Sequence, residues 1–173
     1  MIALLAKSTA ALVAVAGLAL SVDDADLNAY SQETATTLTA DAVTVHAANL
    51  FARADADKSG ALSVDEYTAM SIVTAELARL NGFIVLETRD EPTLISLPGG
   101  ARSLTQAEQT LIAAKAASQF YAGAGADASL STEEFTQLYL SDFADADLNG
   151  NQRLGRRELL VFANKTARLS SEV

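Results

Sequence analysis

Two stretches of this chain repeat one spacing of oxygen-bearing side chains. Phe51-Ala52-Arg53-Ala54-Asp55 opens the first and Phe143-Ala144-Asp145-Ala146-Asp147 the second, at an offset of 147 minus 55, or 92. In each, a Leu falls seven residues after the last Asp (Leu62, Leu154) and a Glu falls eleven after it (Glu66, Glu158). Carboxylates at short, fixed offsets ahead of a helix are hard donors, suited to a hard cation that takes six to eight oxygens at about 2.3 to 2.6 Å. Other chemistries lack their residues. The chain has no Cys, so it can form neither disulfides nor thiolate metal sites, and its single His, His46, leaves little for zinc. His46 has no second His and no Ser or Cys nucleophile motif beside it and reads as a surface or interfacial residue; no enzyme activity is expected.

The repeat resembles the EF-hand family, in which a twelve-residue loop between two helices wraps a calcium ion. The resemblance implies that Asp55, Asp57 and Ser59 fill the first, third and fifth positions of the loop 55–66. Ala61 would give its carbonyl at the seventh, Ser63 a water at the ninth and Glu66 both carboxylate oxygens at the twelfth. Gly60, at the sixth, permits the positive φ of the turn. The loop 147–158 carries Asp147, Asn149, Asn151, the carbonyl of Arg153, and Glu158 at the same places. It is the weaker copy: two Asn replace acidic or hydroxyl donors, Gln152 stands at the glycine position, and Arg153, Arg156 and Arg157 bring positive charge. A register starting at Asp145 would put Gly150 at the turn but Arg156 at the last ligand position, and is rejected.

Two fainter echoes end in the same exit pattern, Ser103-Leu104-Thr105-Gln106-Ala107-Glu108 and Ser129-Leu130-Ser131-Thr132-Glu133-Glu134. They imply degenerate hands near 97–108 and 123–134; the latter keeps only Asp127 and Glu134 as carboxylates at ligand positions. Because EF-hands bridge through the eighth position, Leu130 is expected to meet Leu154, and Leu62 to meet Leu104 or a strand of the hairpin described next.

The elements that must hold these loops follow from periodicity. Val43, Ala47, Leu50, Phe51 and Ala54 recur at helical intervals from Ala40 into Asp55, and Tyr67, Met70, Ile72, Val73, Leu77 and Leu80 do so from the first loop to a stop at Asn81-Gly82. Phe83–Glu87 and Thr93–Leu97 are β-prone runs around Thr88–Pro92, predicting a hairpin that either covers the first hand or offers an edge to a partner. Thr105 with Glu108 is a capping box before Leu111, Ile112, Ala116 and Phe120; that helix should end at Gly123-Ala124-Gly125. Helices over about 132–146 and 156–169 complete the chain, with Phe120/Tyr121 and Phe135/Tyr139 as core contacts. The fold class predicted is all-α: EF-hand helix-loop-helix units paired through short β-bridges, with a small β-hairpin insertion.

Composition sets the remaining bounds. The chain has 173 residues, with 12 Lys plus Arg against 22 Asp plus Glu, and a net charge of −10 disfavours nucleic acid and anionic membrane surfaces. Residues 1–21 match a secretory signal peptide: Lys7, an apolar run Ala10–Leu20, and small residues at Ala19 and Ser21 before Asp23-Asp24. An uncleaved anchor or a buried helix are the alternatives. Cleavage after Ser21 removes Lys7 and leaves 11 minus 22, or −11. A tether over 22–39 and an EF-hand domain over 40–173 would follow, secreted or periplasmic and without stable membrane insertion. The expected function is calcium binding, as a buffer or calcium-stabilised adaptor. The alternative is a sensor exposing apolar surface to a protein partner, although two Met residues, one of them Met1, are too few for a Met-rich groove.

Overall fold

The computed structural model describes residues 37–89, 92–97, 101–125 and 127–169. The expected signal peptide and nearly all of the expected tether lie outside them. The chain runs β1 (Leu38–Thr39), α1 (Ala40–Ala54), α2 (Val64–Asn81), β2 (Phe83–Leu86), β3 (Thr93–Ser96), α3 (Gln106–Gly123), α4 (Thr132–Ala146), β4 (Arg153–Leu154) and α5 (Arg156–Thr166). The protein is thus mostly helical, with two small antiparallel sheets, and no helix among the described residues is long and apolar enough to cross a membrane.

Four of the five described helices start where a side chain can replace the missing backbone acceptor; α5 starts at Gly155, whose N–H goes to Glu158. Thr39 accepts from the Ala42 N–H, while Ser63, Thr105 and Ser131 form capping boxes with Glu66, Glu108 and Glu134. α2 stops at Gly82, whose φ of 72° is the left-handed turn that releases the chain into the hairpin. In the hairpin Phe83 pairs with Ser96 and Leu86 with Thr93, and Ile84, Leu86, Leu94, Ile95 and Leu97 are buried. Arg53 of α1 donates to Glu87 at 2.5 Å, fastening the hairpin beside the first loop's entering helix.

The helices pack as α1 against α4 and α2 against α3, with α5 against α4. Their shared core is aromatic. Phe135 meets Phe51 and Tyr67 edge-on at centroid distances of 5.8 and 6.0 Å, and Phe143 meets Phe162 at 6.4 Å. The buried face of α2 is Tyr67, Met70, Ser71, Ala75 and Ala78, of which the last three are small and let α3 approach closely. Leu77 and Leu80, expected on that face, are exposed instead, and so is Leu111 beside the buried Ile112, Ala116 and Phe120 of α3. Periodicity alone favoured the larger side chains; the helix pair selected the smaller ones. Tyr121 is likewise exposed, while Phe120, Phe135 and Tyr139 are buried.

His46 is the clearest departure from expectation. It is 7 % exposed, in the core rather than at the surface. Its Nδ1 accepts the Glu87 N–H at 3.2 Å, and its ring stands edge-on to Tyr139 at 5.9 Å. Burial, reinforced by Arg53 and opposed by Glu87, lowers its pKa to about 4. An unfolded histidine takes its proton near pH 6.5, before the folded one does, so this group's stabilisation is whole above that pH and is lost as pH falls toward 4. A lowering of that size corresponds to about 3 kcal/mol. His46→Asn, whose amide oxygen can still accept from Glu87, should flatten the decline in unfolding free energy between pH 6.5 and 4; denaturant melts at several pH values measure the difference in slope.

Candidate functional site

The first loop is held by what its ends must do. Asp55 terminates α1, its N–H reaching the Phe51 carbonyl at 2.9 Å, and Ser63 starts α2. Between them the chain has to reverse within a few residues, and it does so with two left-handed residues, Lys58 (φ 57°) and Gly60 (φ 84°). That path turns the loop's N–H groups inward onto its carboxylates. Asp55 accepts from Ser59 and Gly60 at 3.0 Å each, and Asp57 from Ser59 at 3.0 Å. Glu66 bridges the whole loop: Oε2 accepts the Ser63 N–H and hydroxyl, and Oε1 accepts the N–H groups of Ala56 at 3.0 Å and Asp57 at 3.4 Å.

Asp55, Asp57 and Glu66 each offer a carboxylate oxygen within 4.8 Å of the others. Ligands about 2.3 to 2.6 Å from one ion can be about 5 Å apart at most, so the separation fits a single calcium-sized cation, and a donor set of oxygens alone is the one such an ion prefers. Ser59 and Ala61 complete the same face, the Ser59 hydroxyl donating to the Ala61 carbonyl at 2.8 Å. The Ser63 hydroxyl, expected to hold a water, is taken up by the helix cap instead.

The loop 147–158 repeats this wiring. Asp147 ends α4 and accepts from Asn151 at 3.1 Å and Gln152 at 2.8 Å, while the Asn149 side-chain oxygen accepts from Asn151 at 3.1 Å. Asn151 Oδ1 accepts the Arg153 N–H at 2.8 Å. Glu158 is buried; its Oε2 accepts from Gly155 at 2.9 Å, and its Oε1 from the Asn149 side-chain amide at 2.6 Å. The glycine argument from sequence is corrected here. Gln152 is left-handed (φ 61°), but so is Gly150 (φ 70°), at the place of Lys58. Each loop therefore has two left-handed residues and one glycine between them, and backbone strain does not separate the copies. Charge does: the second loop has two carboxylates where the first converges three, and the Asn149 amide occupies one Glu158 oxygen with a hydrogen bond. The rejected register stays rejected, since Asp145 is paired with Lys165 at 2.6 Å.

The fainter units differ from both. In 123–134, Glu134 is spent on its cap with Ser131, and Asp127 accepts only from the nearby Ser129. The unit 97–108 is entered by strand β3 rather than by a helix, and its glutamate already has a cation. Arg102 donates to both Glu108 oxygens at 2.8 and 2.6 Å, and Arg79 adds a bond at 3.0 Å. Those bonds, the Arg102 pair foremost, hold the Glu108 carboxyl well below the usual range.

The bridges join different partners from those expected. Leu62 pairs with Leu130, with N–H···O bonds of 2.8 and 2.9 Å in both directions, and meets neither Leu104 nor the hairpin. Leu104 gives its N–H to Glu76 at 2.9 Å. Leu154 therefore cannot take Leu130; it pairs with Leu38, and Arg153 with Thr39. Leu38-Thr39 had been read as the end of a tether. The signal was a leucine ahead of a hydroxyl N-cap, the pair that also forms Leu62-Ser63, Leu104-Thr105 and Leu130-Ser131, unread for want of a glutamate at residue 42.

The chain matches no protein-family model, no curated protein and no solved structure. Its own loops carry the argument. At Gly60 and Gly150 an added Cβ would meet nothing within 4 Å, so only conformation opposes it. Gly60→Ala and Gly150→Ala should each lower unfolding free energy by about 1 kcal/mol, and Gln152→Gly should cost less than either. Chemical denaturation of the three variants tests the exchange of glycine positions between the loops.

Proposed function

We propose that this protein is a calcium-binding module of the EF-hand type, with its principal site in the loop 55–66 and a weaker one in 147–158. The observation that carries the reading is the convergence of Asp55, Asp57 and Glu66 within 4.8 Å across a loop whose ends are a helix C-cap and a helix N-cap. Asp55, Asp57, Ser59, the carbonyl of Ala61 and Glu66 would hold the ion at the first site. Asp147, Asn149, Asn151, the carbonyl of Arg153 and Glu158 would hold it at the second. The ion's role is to neutralise carboxylates that the fold already brings together.

The Leu62–Leu130 bridge supports a paired arrangement, in which α1 and α2 form one hand and α3 and α4 a ligand-poor partner. The third hand, α4 and α5, leans on Leu38-Thr39. A buffer or calcium-stabilised adaptor is favoured, since an ion bound only to the folded chain adds about 2.7 kcal/mol at a hundred times its Kd. The N-terminal pattern would place this protein outside the cytoplasm. A sensor role has one observation on its side: Leu77 and Leu80, on the helix that Glu66 starts, are exposed. A dye that reports apolar surface should brighten on calcium addition for a sensor and stay unchanged for a buffer.

Calorimetric titration of chelator-stripped protein with calcium, magnesium present, should show one site of micromolar order, with or without a weaker second. Glu66→Gln should abolish the stronger site, and Glu158→Gln should touch only the weaker. Absence of heat up to millimolar calcium, or full affinity in Glu66→Gln, would sink the assignment.

A further inference from the structure

A cavity of about 290 Å³ opens among four helices, and one of the charges facing it, the Arg168 guanidinium, has no described carboxylate paired with it. Arg168, just beyond α5, is 8 % exposed and sits in the left-handed region at φ 53°, a conformation a non-glycine residue adopts at some cost. Its guanidinium lies 5.0 Å over the Tyr67 ring and donates to the Tyr67 hydroxyl at 2.5 Å, to Gln119 at 3.0 Å and to the Thr166 carbonyl at 3.1 Å. All three acceptors are neutral. No described carboxylate forms an ion pair with it.

The negative charge in the same cavity is paired only loosely. Asp142 of α4 is partly buried, and among the described residues its ion pair is with the Lys165 ammonium at 3.9 Å, which lies closer to Asp145, at 2.6 Å. Burial raises the Asp142 carboxyl above its usual range despite Lys165 and Arg168. A guanidinium and a carboxylate facing one cavity without meeting each leave desolvation uncompensated. Tyr67 and Tyr139 also line the cavity, and the Tyr67 hydroxyl, which accepts from Arg168, keeps a proton to donate.

We infer that this cavity binds a free α-amino acid, its carboxylate on Arg168 and the tyrosine hydroxyls and its ammonium on Asp142. A zwitterion gives the guanidinium a carboxylate and the loosely paired Asp142 a second cation, and it leaves the cavity's balance unchanged, which neither a simple anion nor a simple cation does. The volume is at the small end for ligand sites, and Ala122 and Leu138 give it an apolar side, so an aliphatic side chain suits it. The inference is independent of the metal, and its test is run in chelator.

The full chain should be titrated with L-leucine by calorimetry and by the shifts of its amide resonances. L-leucine should bind, while 4-methylpentanoate, which lacks the ammonium, and isopentylamine, which lacks the carboxylate, should each bind at least tenfold more weakly. Asp142→Asn, folded by circular dichroism, should lose at least tenfold for L-leucine and nothing for 4-methylpentanoate. Arg168→Gln should lose both, if it folds. Equal binding of L-leucine and 4-methylpentanoate would overturn the zwitterion, and no binding of L-leucine or of any other standard amino acid at millimolar concentration would overturn the site.

Discussion

A glutamate at the third position of a helix has two oxygens and can do two things with them. Turned back on its own helix, one oxygen accepts the N-cap N–H; the other remains free to reach into whatever precedes the helix. Glu66, Glu108, Glu134 and Glu158 all make the first bond, to Ser63, Thr105, Ser131 and Gly155. What distinguishes the four units is the second oxygen. In 55–66 and 147–158 it ties the exit helix to the start of the loop, through Ala56 and Asp57 in one and Asn149 in the other. The loop then cannot open without breaking a cap, so the geometry of the acidic cluster is set by helix chemistry before any ion is considered.

The same constraint fixes where the bridges form. A leucine directly before an N-cap is extended backbone with one face buried, and two such leucines can pair when their helices lie side by side. α1 against α4 and α2 against α3 bring Leu62 to Leu130, and Leu154 then needs another leucine of the same kind, which Leu38 provides. The two loops richest in ligands are therefore not bridged to each other. They are joined instead through α1 and α4, packed helices that end in Asp55 and Asp147 respectively.

Much of this was legible in the sequence because it is local. Caps, the Gly82 stop, the two hairpin strands and the loop spacing each depend on a few neighbouring residues, and the helices fall close to where those signals put them. What was not legible depends on which helix meets which. Leu77, Leu80 and Leu111 fall on the apolar stripes that periodicity assigns to the core, but they are exposed, while Ser71, Ala75 and Ala78 of α2 and Ala116 of α3 are buried. His46 reads from sequence as a surface or interfacial residue because no second His and no nucleophile motif accompanies it. It is buried because the hairpin, 41 residues on, brings the Glu87 N–H to its ring. The bridge partners were missed for the same reason, since Leu38 belongs to a pattern only once the glutamate is no longer required.

The unit 97–108 shows what the cluster in 55–66 lacks. Both glutamates are capping-box residues with an oxygen to spare, yet Glu108 has Arg102 and Arg79 against it, whereas the oxygens of Glu66 are met only by backbone N–H groups and the Ser63 hydroxyl, with Asp55 and Asp57 close by. A guanidinium is a permanent cation, always present at fixed concentration, so the first arrangement is satisfied without help from solution. The second gathers three carboxylates and, among the described residues, answers them with dipoles, which compensate charge less completely than a cation does. Within one chain the same helix-start motif is thus closed internally in one unit and left open to an external cation in another, which is the physical ground on which the proposed calcium site in the loop 55–66 rests.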